Sequence, residues 1–226
     1  VTLKKGEEKR IQMGHPWVFD NEVKSIEGAY ESVDIVDVYD FKGGFLGRGY
    51  INRKSKILVR IMTRHQEEIN REFFRKRITD AWNYRKLLVD TGSCRVIFGE
   101  ADLLPALIVD KFGDYLSIQT LAFGIEKYKD IIVELLQEII QPKGIYERND
   151  VQIREKEGLE QQKGFLTEEF DTTVEINENG IRLMVDIANG QKTGYFLDQR
   201  ENRAALAPLV KGGRVLDTFT HTGGFA

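Results

Sequence analysis

Cysteine is nearly missing from this chain. Among 226 residues only Cys94 carries a thiol, so no internal disulfide can form and a reducing, cytoplasmic setting is expected. Histidine is almost as sparse. His15, His65 and His221 are scattered and, with one thiol, make no zinc-type cluster, so no metal is expected. No apolar run approaches the ~18 residues of a membrane span, and Val1 to Arg10 is charged and lacks a signal-peptide core. Repeats, low-complexity tracts and Pro- or Ser-rich linkers are absent too. What is left is a globular chain with no membrane partner.

Charge is present and unevenly spread. Lys42, Arg48, Arg53, Lys54, Lys56, Arg60 and Arg64 fall between Lys42 and Gln66 with no acid among them, followed by Arg71, Arg75, Lys76 and Arg77. Tyr146 to Glu178 carries ten acids against four bases. Basic character gathered in one segment is the footprint of phosphate binding.

The chain is read in three parts, residues 1–66, 67–172 and 173–226. The first reads as a small β domain, with strand-like runs Ile35–Tyr39, Phe45–Ile51 and Lys56–Met62 separated by turn signals. Gly47 and Gly49 inside a strand pattern predict a bulge or a close backbone approach. A helix is predicted from about Gln66 to Val89, then an α+β segment with strands at Val96–Phe98, Pro105–Val109 and Tyr115–Thr120 and a helix over about Gly124–Ile140. Glu178-Asn179-Gly180 marks a hairpin, and a helix follows at about Leu197–Leu206. Val215 to Phe219 reads as a buried strand entering the turn Thr222-Gly223-Gly224, as α/β ligand sites begin. The fold class is therefore α+β leading into α/β.

Gly190 to Arg203 crowds Gln, Lys, Thr, Asp and Arg around two glycines. It lacks the glycine spacing of a P-loop, and Asp217 to Gly224 lacks the Gly-x-Gly-x-x-Gly of a dinucleotide site. Glu100 and Asp102 form a carboxylate pair that reads as structural, and Cys94 as a structural thiol.

Gly190–Arg203 followed by Val215–Phe225 closely resembles the ribosomal RNA large-subunit methyltransferase I family. The resemblance extends through Arg95–Asp110 and Gly14-His15-Pro16-Trp17-Val18-Phe19. It implies an RNA-binding PUA-like β-barrel, a central α+β domain and the start of a truncated Rossmann-like class I methyltransferase domain. It implies S-adenosylmethionine as cofactor, with Gln191, Lys192, Thr193, Asp198, Arg200, Asp217, Phe219, Thr222, Gly223 and Gly224 around it. Lys4, Lys5, Arg10, His15, Trp17, Arg48, Arg53 and Lys54 are the candidates for RNA contact, although packing in the β core is the commoner role for Trp17. The implied reaction is methylation of cytosine carbon 5 in large-subunit (23S) ribosomal RNA, with the catalytic residues expected beyond Ala226 and this chain expected to be an inactive fragment. A homodimer is left open, and the competing reading is a non-catalytic RNA-binding module.

Overall fold

The computed structural model describes every residue except Lys211, Gly213, Phe219 and Ala226. The chain opens with β1 (Thr2–Leu3), α1 (Glu8–Gln12), β2 (Trp17–Phe19), β3 (Val23–Ser25), β4 (Ile35–Tyr39), β5 (Phe45–Ile51) and β6 (Ile57–Thr63). They form one six-stranded sheet in the order β2-β6-β5-β4-β1-β3, curled into a nearly closed barrel. Leu3, Ile11, Val18, Val38, Ile51, Leu58, Val59 and Ile61 fill it. A methyl group on Gly49 would lie 1.9 Å from the Arg60 carbonyl oxygen, and the β5–β6 register shifts at Arg48/Gly49. Both the close approach and the bulge read from the sequence are present.

α2 (Arg71–Leu88) begins five residues later than Gln66, where the sequence placed it, because the Asn70 side chain caps it by accepting from the Phe73 N–H. Next come β7 (Ser93–Phe98), β8 (Leu107–Phe112), β9 (Tyr115–Thr120), α3 (Phe123–Glu126), α4 (Lys129–Ile140), β10 (Gly144–Asn149), α5 (Ile153–Glu157) and β11 (Gln162–Phe165). The sheet runs β11-β10-β9-β8-β7, and only the β9–β10 pair is parallel, joined through α4. Phe73, Phe74 and Ile78 of α2 and Ile132, Leu135 and Leu136 of α4 bury against Val96, Val109, Leu116, Ile118 and Ile145 of the strands. The single helix expected over Gly124–Ile140 is two, because Tyr128 leaves helical geometry (φ −101°, ψ 8°) between them. α5 and β11 carry no apolar periodicity to announce them: the buried residues of α5 are Arg154 and Glu157.

β12 (Thr173–Glu178) and β13 (Ile181–Asp186) form the expected hairpin. Asn179 (φ 54°) and Gly180 (φ 86°) both sit in the left-handed region that a two-residue hairpin turn of type I′ requires. The hairpin packs its Val174, Ile176 and Val185 on Phe112, Tyr146, Ile187 and Tyr195. A 3₁₀ turn at Leu197–Gln199 leads into α6 (Arg200–Leu206). The strand expected from Val215 does not form at Arg214–Asp217, and Val215 and Leu216 are exposed. A buried strand needs backbone partners along its edges, and no strand pairs with this segment among the described residues. No described helix is long and apolar enough to cross a membrane.

Candidate functional site

The Gly190–Arg203 stretch follows a turn built on Asp186, whose carboxylate accepts from the Ala188 and Asn189 N–H groups. Gly194 N–H donates to the Gln191 carbonyl at 2.8 Å, and Lys192 takes a left-handed φ of 57°. The turn is tight enough that a methyl group on Gly190 would meet the Gly194 carbonyl at 2.3 Å. It is anchored from β10, where Arg148 donates to the Ile187 and Gly190 carbonyls at 2.6 and 3.0 Å. From β8, Asp110 accepts the buried Thr193 hydroxyl and both arms of the Arg95 fork. Arg200 reaches back to the Ser93 carbonyl at 2.6 Å. The loop is thus preorganised by buried polar ties that leave Gln191 and Lys192 exposed.

Arg203 closes the arrangement. Its guanidinium makes two bonds to the buried Glu178 carboxylate, at 2.5 and 2.8 Å, and donates to the Phe196 carbonyl. It lies 4.5 Å from the Tyr195 ring centroid and 5.5 Å from that of Phe225. A methyl group on Gly224 would lie 2.8 Å from the Tyr195 hydroxyl oxygen. The two resembling stretches, eleven residues apart in sequence, therefore meet at Arg203. Burial and the Glu178 charge raise the Tyr195 phenol to about 12, so it is neutral at physiological pH.

Two cavities flank this junction. One, of about 330 Å³, is lined by Gly223, Gly224, Arg203, Glu178 and apolar side chains such as Ile181 and Leu206. Gly223 takes a φ of 77°, and the space where its side chain would stand meets only the Thr220 hydroxyl, at 4.0 Å. The other, of about 540 Å³, lies between the α2 end, β7 and Leu197–Glu201, and includes Asp198 and Arg200. The expected cofactor residues do not converge on one space. Asp198 and Arg200 face the larger cavity, Gly223 and Gly224 the smaller; Thr193 is buried beneath the loop, Asp217 is half-buried outside both linings and Thr222 is exposed. Phe219 lies outside the described residues. Glu178, Tyr195 and Arg203 were not singled out in the sequence; the three-residue step from Arg200 to Arg203 along one helix was the available signal.

The eight RNA candidates of the barrel also separate. Lys4, Arg10 and His15 gather near α1: Lys4 donates to the Asn21 carbonyl, while Arg10 pairs with Glu22 at 2.8 Å and donates to His15 Nε2 at 3.0 Å. Lys5 sits beside the Phe41 ring, and Arg53 lies 4.7 Å from the Tyr30 ring centroid. The Lys54 side chain packs against Gly158. Arg48 is held by both oxygens of Asp37, and that hydrogen-bonded pairing keeps the Asp37 carboxyl below its usual range. The Trp17 indole donates to Glu100 at 2.8 Å, under the Arg60 guanidinium. Of the carboxylate pair, Asp102 takes both arms of Arg85 and the Phe98 N–H. Burial pushes the Cys94 thiol up to about 11, which suits a structural thiol and not a nucleophile.

Comparison with known proteins matches two stretches of the chain. Residues 1–64 match the family described as a PUA-like domain, and residues 150–226 match the S-adenosylmethionine-dependent methyltransferase family. The curated relatives include the ribosomal RNA large subunit methyltransferase I of Photobacterium profundum (42% identical over 231 residues), of Vibrio cholerae (40% over 229) and of Escherichia coli O139:H28 (39% over 231). In each case the alignment covers all of this chain and 58% of the relative. Among solved structures, a SAM-dependent methyltransferase of Streptococcus mutans aligns over the whole chain and 58% of its own, with TM-score 0.81 and 22% identity. A methyltransferase crystallised with SAH aligns with the same coverage, at TM-score 0.82 and 22% identity. These two structures support the fold. By sequence, the chain is similar over its whole length to proteins named ribosomal RNA large subunit methyltransferase I, and it spans somewhat over half the length of those relatives.

Proposed function

We propose that the chain holds ribosomal RNA on its barrel and builds part of the S-adenosylmethionine pocket of an enzyme that methylates cytosine carbon 5 in large-subunit ribosomal RNA, in the cytoplasm. The observation that carries this is the Arg203 junction, which brings the Gly223-Gly224 turn against the Tyr195–Arg203 stretch. The smaller cavity suits the cofactor: the backbone at Gly223 is open to approach, and the lining is apolar except near Arg203 and Glu178. When bound, S-adenosylmethionine supplies an electrophilic methyl group on a sulfonium. Gly223 and Gly224 would admit it. Gln191 and Lys192, exposed on a preorganised turn, would bind its polar edges or the RNA backbone. Lys4, Lys5, Arg10, Arg53 and Lys54 would contact phosphates across the barrel.

Carbon-5 methylation of cytosine uses a thiol that adds to carbon 6. Cys94, buried and raised in pKa, does not serve, and no other cysteine occurs in these residues. Nucleoside mass spectrometry of 23S ribosomal RNA from cells lacking the gene tests the reading. One 5-methylcytosine should disappear and return on complementation. An unchanged 5-methylcytosine inventory refutes the activity.

A further inference from the structure

The larger cavity carries chemistry that a cofactor-only reading leaves unused. Two aromatic rings in its lining, Tyr84 at the end of α2 and Phe98 at the end of β7, are 57% and 52% exposed. Each lies beside a guanidinium: Arg85 is 5.4 Å from the Tyr84 ring centroid, and Arg95 is 5.2 Å from that of Phe98. Neither guanidinium is free to swing. Arg85 is fixed by Asp102 and the Arg95 carbonyl, Arg95 by Asp110. The cavity therefore presents two rigid pairs of ring and guanidinium plane, on a volume of about 540 Å³, large enough for a nucleotide-sized ligand.

Charge decides what kind of ligand. Arg85, Arg95 and Arg200 in the lining are matched by Asp90, Asp198 and Glu201, so there is no surplus positive charge to recruit phosphate. Flat apolar rings and guanidinium planes instead favour stacking of an aromatic heterocycle. The exposed Asp198 carboxylate is an acceptor for an exocyclic amino group. Leu197–Glu201 places this space beside the segment that matches the methyltransferase family.

We propose that the cavity takes an unpaired base of a single-stranded RNA segment, stacked on Phe98 or Tyr84 beside Arg95 or Arg85. This rests on the RNA reading of the preceding section. The test is fluorescence anisotropy of the full chain with a short labelled RNA single strand of mixed sequence. At least one of Phe98→Ala and Tyr84→Ala should weaken binding about tenfold, as loss of a base-stacking ring does. Phe98→Trp should retain binding within about twofold, and the same strand annealed to its complement should compete poorly, because its bases are already stacked. Both rings are more than half exposed, so the thermal midpoints should match the parental chain. Parental affinity in both alanine variants, with binding instead lost in Lys4→Ala/Arg10→Ala, overturns this site and leaves the RNA reading standing. A parental chain that binds no single strand overturns both.

Discussion

Buried ionisable side chains set much of the local chemistry. Glu126 shows how. Burial alone would raise its carboxyl, but hydrogen bonds from Arg154, Lys129 and Thr120 outweigh that and bring it from 4.5 down to about 2. A carboxyl with a depressed folded pKa contributes stability that is complete above its unfolded value and is lost as pH falls through the folded one. Denaturant stability should therefore fall between about pH 4.5 and pH 2. Glu126→Gln should be less stable at neutral pH and show a shallower fall across the same window. Equal slopes for the two chains would show that the ion cluster contributes nothing in that window. Single residues were the hardest scale to read in the sequence. Arg154 and Glu157 fall in the acidic stretch from Tyr146 to Glu178, yet both are buried. Glu157 is completed by Asn52, Ser55 and Arg60, about a hundred positions upstream. Periodicity reports apolar faces and is silent about polar groups satisfied by distant partners.

At the scale of elements, the sequence was most legible where a local rule dictates geometry. The Asn179-Gly180 turn and the Gly49 bulge were fixed by backbone requirements that few other residues meet. The basic stripe of α2 misled for the opposite reason, because its sign was visible and its partner was not. Arg71 and Arg75 bond to Glu134 and Glu138 of α4 and lock two helices together over the sheet. Such pairing would remove these arginines from the phosphate-binding surface that the charge count suggested. If they contacted phosphates, their joint removal would flatten the dependence of log affinity for single-stranded RNA on log salt by roughly 1.4. Arg71→Ala/Arg75→Ala should leave that slope for single-stranded RNA unchanged, whereas Lys4→Ala/Arg10→Ala should flatten it. A flattened slope in the helix variant would return α2 to the RNA surface.

Across the whole molecule, the barrel and the central sheet share a core. Tyr50 belongs to barrel strand β5 but packs in the central cluster with Phe74, Val96 and Ile125. Burial pushes its phenol above its ordinary pKa, and its hydroxyl has no hydrogen-bond partner among the described residues. Packing therefore holds the ring in place. It lies against Gly124 at the start of α3, where an added methyl group would sit 2.0 Å from the ring. Buried Glu157 and the Trp17–Glu100 bond tie the same two parts together. So linked, they should unfold in one transition. Trp17 in the barrel and Trp82 in α2 are the chain's two tryptophans, so single-tryptophan versions can report each part separately. Their denaturant midpoints should coincide in the parental sequence. Gly124→Ala overpacks the joint, at a cost of about 1–3 kcal/mol, and expels the Tyr50 ring, so the Trp17 midpoint should fall below that of Trp82. Midpoints that remain coincident and undiminished in Gly124→Ala would mean the contact does not couple the barrel to the sheet. Orientation of the barrel against the central sheet would then have to come from the polar ties alone.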